Sequence, residues 1–150
     1  MHICMVVFTE LVSDFRVFRT ASALADAGHR ISIVAGSGDG GELHDSWSRF
    51  EVHPIPVDRR ASLRFAYPRF WRRSRRVLCD LGADAYHAHD LDTLWPAAKA
   101  AHRCRAALVY DSHELWTEQS AVAGRTAVRF FWRRLFMCFT GMLLKPRRFL

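Results

Sequence analysis

Tyr86-His87-Ala88-His89-Asp90 and, 24 residues further on, Tyr110-Asp111-Ser112-His113-Glu114 decide the fold of this chain. Each closes an apolar, strand-like run by switching abruptly to histidine and carboxylate. Their spacing is that of one parallel strand-helix-strand repeat, in which the crossover helix takes up the intervening residues. Two strands in that relation are neighbours with their polar ends side by side. In open parallel sheets ligands bind beyond the carboxyl ends of the strands, so the two stretches mark a candidate site as well as a fold.

The same alternation runs outward in both directions. Residues 2 to 8 are continuously apolar, as expected of a parallel strand covered on both faces. Ser13 or Asp14 can cap a helix with Phe15, Phe18, Leu24 and Ala25 on one side, ending at Gly28. Strands are expected at Arg30 to Ala35, Arg49 to Val57, Ala83 to Ala88 and Ala106 to Tyr110. Helices are expected at Leu63 to Leu81, interrupted near Pro68, and at Asp92 to Arg103, with Pro96 in its first turn. The pattern predicts an α/β fold with a doubly wound parallel sheet and right-handed crossovers.

Composition narrows the class. A chain of 150 residues that is 50% hydrophobic can bury a core as one domain. Cys4, Cys79, Cys104 and Cys138 are scattered without a CxxC pair, which points to a reducing compartment and a cytoplasmic location. The net charge of +7 is uneven: residues 1 to 118 hold fifteen Lys/Arg and fifteen Asp/Glu, and the excess lies after Glu118. A basic run from Arg69 to Arg76, with Phe70 and Trp71 interleaved, has the look of a nucleic-acid strip but the spacing of a wet helix face. No nucleic-acid partner is expected.

Gly36-Ser37-Gly38-Asp39-Gly40-Gly41 satisfies G-x-G-x-x-G literally, yet it follows the second strand and leads to another strand, so it is read as a flexible loop. His87, His89, Asp90, Asp111 and His113 include metal-ligand types, but His87 and His89 point to one face of a strand, where a histidine bonded to backbone is expected, and no metal is assigned. His89 or Asp90, last before the helix, is the group expected at the rim, although Asp90 or Asp92 can equally serve as a helix cap. Asp111, Ser112, His113 and Glu114 offer acceptors, a donor and a group titrating near neutral pH, as acid-base work or sugar-hydroxyl binding requires; the alternative is a turn closed on its own backbone.

The run Tyr86-His87-Ala88-His89-Asp90-Leu91-Asp92-Thr93-Leu94, then Leu108-Val109-Tyr110-Asp111-Ser112-His113-Glu114-Leu115, resembles the N-terminal domain of family 4-type GT-B glycosyltransferases. Asp14-Phe15-Arg16-Val17 with Ala21, Leu24, Ala25, Gly28 and His29-Arg30-Ile31 agrees, and the likeness covers about residues 2 to 120. The resemblance implies a Rossmann-like half of a two-domain enzyme that transfers a sugar from a nucleotide-activated donor with retention. It implies His113 and Asp90 as the catalytic pair, with His89, Asp111, Glu114, Glu10, Asp14 and Arg16 around a sugar or lipid-linked acceptor. It also implies that the nucleotide sugar binds mainly to a second domain or subunit, and that this chain holds no cofactor. That domain's pair of glutamates is missing, since no Glu has another eight positions later, and the chain is expected to be a truncated half without the donor site.

Residues 1 to 120 are therefore read as the Rossmann-like domain and 121 to 150 as a basic, aromatic helical tail. Phe130, Phe131, Trp132, Leu135, Phe136, Met137 and Phe139 among Arg129, Arg133 and Arg134 fit an amphipathic helix on an anionic membrane, which would place the protein peripherally on the cytoplasmic face. The alternative function is a non-catalytic module that binds a membrane or partner through this tail.

Overall fold

The computed structural model describes residues 1–9, 11, 14–38, 45–58, 60–112, 130, 134 and 137. They divide into two units, Met1–Asp111 and Ser112–Leu150. In the first, β1 (His2–Val7), α1 (Phe15–Asp26), β2 (Arg30–Ser37), β3 (Glu51–Pro56), α2 (Leu63–Leu81), β4 (Ala85–His89), α3 (Leu91–Cys104) and β5 (Ala107–Asp111) follow one another, with a short 3₁₀ turn at Asp45–Arg49 before β3. The strands form one parallel sheet in the order β3-β2-β1-β4-β5. The chain thus winds outward from β1 to one edge and returns to the other, the doubly wound arrangement expected from the sequence.

The inner strands are buried on both faces, and their side chains alternate between the two. Ile3, Met5 and Val7 of β1 join Ile31, Ile33 and Ala35 of β2 under Val17 and Ala21 of α1, with Trp47 and Phe50 completing that side. Phe18 stands edge-on to Trp47 at 5.1 Å, an aromatic contact that fastens α1 to the turn before β3. Cys4, Val6, Tyr86 and Ala88 alternate onto the opposite face, where Phe70 and Leu78 of α2 and Leu94 and Ala97 of α3 are buried. The hydroxyl of Tyr86 donates to the Leu78 carbonyl at 2.9 Å and accepts from the Ala83 amide at 3.2 Å, so a fully buried phenol joins α2 to β4 without an orphaned polar atom.

Three expectations are corrected. Helix α2 is not interrupted at Pro68. The carbonyl that loses its N–H partner there is that of Arg64, and both residues lie on the exposed face, where solvent can satisfy it. Phe15 does not belong to the core stripe of α1: it is 78% exposed, and Val17 and Ala21, four residues apart, carry the buried face. Gly36 is not in a loop but inside β2, where a Cβ would come within 2.1 Å of the Phe8 carbonyl oxygen. The first glycine of the literal motif thus lets the backbone just past the end of β1 approach β2 closely. Cys4, Cys79 and Cys104 are free thiols.

In the second unit Phe130, Arg134 and Met137 are helical and exposed, with the Arg134 guanidinium 5.7 Å from the Phe130 ring. The remainder of the expected tail lies outside the described residues. No helix among the described residues is long and apolar enough to cross a membrane.

Candidate functional site at the ends of β4 and β5

Strand β4 pairs with β5 in a register that sets His87 opposite Val109 and His89 opposite Asp111. Residues 87, 89 and 111 therefore project from one face of the sheet. The His87 and His89 rings stack with centroids 4.2 Å apart and planes 27° from parallel. His89 Nδ1 lies 4.0 Å from Asp111 Oδ2, too far for a direct hydrogen bond and close enough for charge pairing when the imidazole is protonated. His89 is corrected from rim to interior: β4 runs one residue further than the sequence suggested, and the ring is only 2% exposed.

Ligand atoms of His87, His89 and Asp111 lie within 4.8 Å of one another, a metal-ligand set by residue type. The stacking works against chelation. A cation must lie near the plane of each imidazole at roughly 2 Å from its nitrogen, and two planes this close to parallel meet only far beyond that reach.

Asp90, the residue before α3, has φ 66° and ψ 166°. This backbone region is essentially reserved for glycine, and holding a non-glycine residue in it costs about 1–3 kcal/mol. The conformation is fixed from several sides. The Asp90 amide donates to the Asp111 carbonyl at 2.9 Å, tying the end of β4 to the end of β5. The Thr93 hydroxyl donates to the His89 carbonyl at 2.6 Å and is 3.1 Å from that of Asp90. The Asp90 side chain does not cap α3, so capping does not account for an aspartate there.

Two positions further, Asp92 is buried, and burial followed by the nearby Asp90 charge pushes its carboxyl up to about 8. It holds its proton at neutral pH. The positive end of α3 favours the carboxylate, but loss of hydration outweighs it. The Asp92 carbonyl accepts from the Trp71 indole at 2.5 Å, and Trp71 lies in a row with Tyr67 and Trp95, ring centroids 5.9 and 5.8 Å away. Thr93, the burial of Asp92 and this aromatic row were not read as site features in the sequence. The only signal was the Asp90-Leu91-Asp92-Thr93 succession at a helix start.

Asp14 and Arg16 sit at the same edge of the sheet, beyond the end of β1, which is the strand beside β4. Asp14 caps α1 by accepting from the Val17 amide at 3.3 Å, receives the Thr9 hydroxyl at 3.3 Å and lies 3.6 Å from Arg16. Its carboxylate is thus engaged in holding the helix start, while Arg16 projects to solvent. Glu10, His113 and Glu114 lie outside the described residues.

A doubly wound parallel sheet with polar and strained residues gathered at its carboxyl edge defines the class as a Rossmann-like α/β domain. A family model described as a glycosyl transferase 4-like domain matches residues 15–143, and the chain belongs to that family as a GT-B N-terminal domain. Among solved structures, a putative UDP-N-acetylglucosamine 2-epimerase from Listeria monocytogenes superposes with a TM-score of 0.61 at 17% identity, over 91% of this chain and 37% of the epimerase. The calicheamicin glycosyltransferase CalG4 gives 0.53 at 16% identity, over 93% of this chain and 42% of that enzyme. The C-terminal domain of the PF1911 hydrogenase from Pyrococcus furiosus gives 0.56 at 14% identity, over 73% and 89%. The range of activities in these names marks the likeness as one of fold. No curated protein matches the sequence.

Proposed function

We propose that the chain is the acceptor-side half of a retaining, nucleotide-sugar-dependent glycosyltransferase, with the donor bound mainly by a second domain or subunit. One observation supports the reading above others: within a glycosyl transferase 4-like domain, an aspartate is held in a glycine-type conformation where β4 and β5 end. Strain of that kind persists where geometry serves chemistry. In this reading the acceptor is a sugar or a lipid-linked sugar. Asp90 accepts a hydrogen bond from the reacting acceptor hydroxyl and orients it; as the bond from the anomeric carbon to the nucleotide's phosphate oxygen breaks, the hydroxyl oxygen bonds to that carbon on the same face and its proton passes to the departing phosphate. His113 orients the sugar, and Asp111, Glu114, Glu10, His89, Asp14 and Arg16 border or support the acceptor. His89, being buried, acts by fixing Asp111 and the end of β4, not by touching the acceptor.

The test is sugar transfer to acceptor by the full chain together with its donor-binding half. Asp90→Asn and His113→Ala are expected to lower turnover by about 10²–10³-fold with little change in melting temperature. Unchanged turnover in His113→Ala removes its assigned role, and unchanged turnover in both overturns the site.

A further inference from the structure

The segment that leads into α2 has no part in the site just described, and it presents a serine to solvent. Arg59 and Arg60 precede Ser62 in the sequence, and Leu63 follows it. Arg60, Ser62, Leu63 and Arg64 are all exposed. Ser62 has φ −58° and ψ 136°, an extended backbone, and its hydroxyl does not cap the helix that begins beside it. Asp58, the acid nearest to the arginines, is turned back on its own chain: its carboxylate accepts from the Arg60 amide at 2.9 Å and the Ala61 amide at 3.3 Å. Among the described serines, Ser74 alone also follows two arginines so closely, Arg72 and Arg73. It is fully buried, and its hydroxyl donates to the Phe70 carbonyl at 2.7 Å. Ser46, Ser48 and Ser112 are exposed, but no Lys or Arg lies within the four residues before any of them. An exposed hydroxyl and a paired basic flank thus coincide, among the described serines, at Ser62.

We propose that Ser62 is a phosphorylation site for a serine kinase that reads the arginine pair before it. In the transfer the Ser62 Oγ bonds to the γ-phosphorus of ATP as the bond from that phosphorus to the β,γ-bridging oxygen breaks. ADP leaves with the electron pair, and the hydroxyl proton passes to the kinase's catalytic carboxylate. Two guanidiniums at a fixed distance from the acceptor hydroxyl give such an enzyme charge-assisted contacts to carboxylates of its own, and kinases select substrates by charge patterns of this kind. The extended backbone at Ser62 lets the hydroxyl enter another protein's active site without opening the core, whereas Ser74 would have to leave it. The product changes the local charge. Phosphoserine carries about −1.5 to −2 at neutral pH, while Arg59, Arg60 and Arg64 against Asp58 leave two positive charges in this stretch, so the phosphate cancels most of them. In a parallel α/β unit each crossover helix starts at the edge where the strands end, so the change falls on the edge that carries Asp90.

The full, folded chain is incubated with magnesium, ATP and the catalytic subunit of cyclic AMP-dependent protein kinase, an arginine-directed enzyme used as the probe, and the phosphate is mapped by mass spectrometry. One phosphoryl group is expected, on Ser62, at a rate comparable with that of a synthetic peptide of residues 57 to 66. Ser62→Ala should lose it. The double variant Arg59→Ala, Arg60→Ala should lower the initial rate about a hundredfold, since each arginine supplies a charge-assisted contact. Both variants change exposed residues and should melt with the parent, which is checked alongside. The chain recovered from its own cells in the presence of phosphatase inhibitors should carry the same phosphate. The assignment is overturned if the peptide is phosphorylated and the folded chain is not, if the arginine variant keeps the parent rate, or if the phosphate falls on another residue. Its absence from the cellular protein in growing and starved cells alike also overturns it. None of these readouts involves sugar transfer, so they leave the acceptor-side reading to its own test.

Discussion

Asp90→Gly should make the protein more stable and its proposed chemistry worse. At φ 66° and ψ 166° an aspartate carries about 1–3 kcal/mol of backbone strain that glycine does not. Against that, glycine surrenders about 0.5–1 kcal/mol more backbone entropy on folding. The balance is a gain of about 1 kcal/mol, or roughly 2–4 °C in melting temperature for a chain of this size. Removing the Asp90 charge also relieves Asp92, whose carboxyl it helps to raise, so that change acts in the same direction. Asp90→Ala is the control. Alanine keeps the positive φ and its strain while losing the carboxylate, so it shares only the relief of Asp92 and should remain about 1 kcal/mol less stable than the glycine variant. Urea unfolding at neutral pH gives the three stabilities, and sugar transfer with the donor-binding half gives the activities, expected to fall by about 10²–10³-fold in both variants. Equal stability of the glycine and alanine variants would refute the strain argument. Retained transfer in both would separate the strain from function.

Gly36→Ala should destabilise by about 2–4 kcal/mol in urea unfolding, because the added Cβ meets the Phe8 carbonyl oxygen at 2.1 Å and backbone cannot yield as a side chain would. Tyr86→Phe should cost about 1–2 kcal/mol by the same measurement, leaving the Leu78 carbonyl and Ala83 amide without their buried partner. Asp92→Asn should change the pH dependence of stability. With its carboxyl raised to about 8, the folded state keeps a proton that the unfolded state releases near pH 4, so stability falls as pH rises across that interval and levels off above it. Urea midpoints from about pH 5 to 8 should show a slope of up to about 1.4 kcal/mol per pH unit that the asparagine variant lacks.

The strands were legible because a sheet buried on both faces writes itself as unbroken apolar runs, and Cys4, Met5 and Val6 or Ile33 and Val34 have no other use for such a run. Helix faces were less so. Phe15 is as apolar as Val17, and only the turn at which α1 meets the sheet decides which of them is covered. Pro68 reads as a break because the sequence cannot say whether the carbonyl it orphans faces water or protein. At the site, the approach of His89 to Asp111 followed from the repeat length, since one crossover of ordinary length puts β5 beside β4. The strained angle of Asp90 and the burial of Asp92 did not. Both depend on where a single peptide turns between β4 and α3, and any aspartate at a helix start reads as a cap.

The junction from His87 to Thr93 concentrates what the rest of the domain avoids. Within seven residues it holds two stacked, buried imidazoles, a positive φ on an aspartate and a carboxyl group buried in its protonated form. One residue before it, Tyr86 shows the ordinary solution, a large buried side chain with its hydroxyl fully bonded. Nothing in the packing of β4 against β1 and β5 calls for the costlier arrangement, because glycine at 90 and asparagine at 92 satisfy the same backbone path and the same Thr93 clasp. Local choices that oppose stability survive where they supply geometry or charge that the fold itself does not need. The Thr93 hydroxyl bonds the carbonyls of both His89 and Asp90, so the strained residue is clasped from the first turn of α3 at the edge where the strands end.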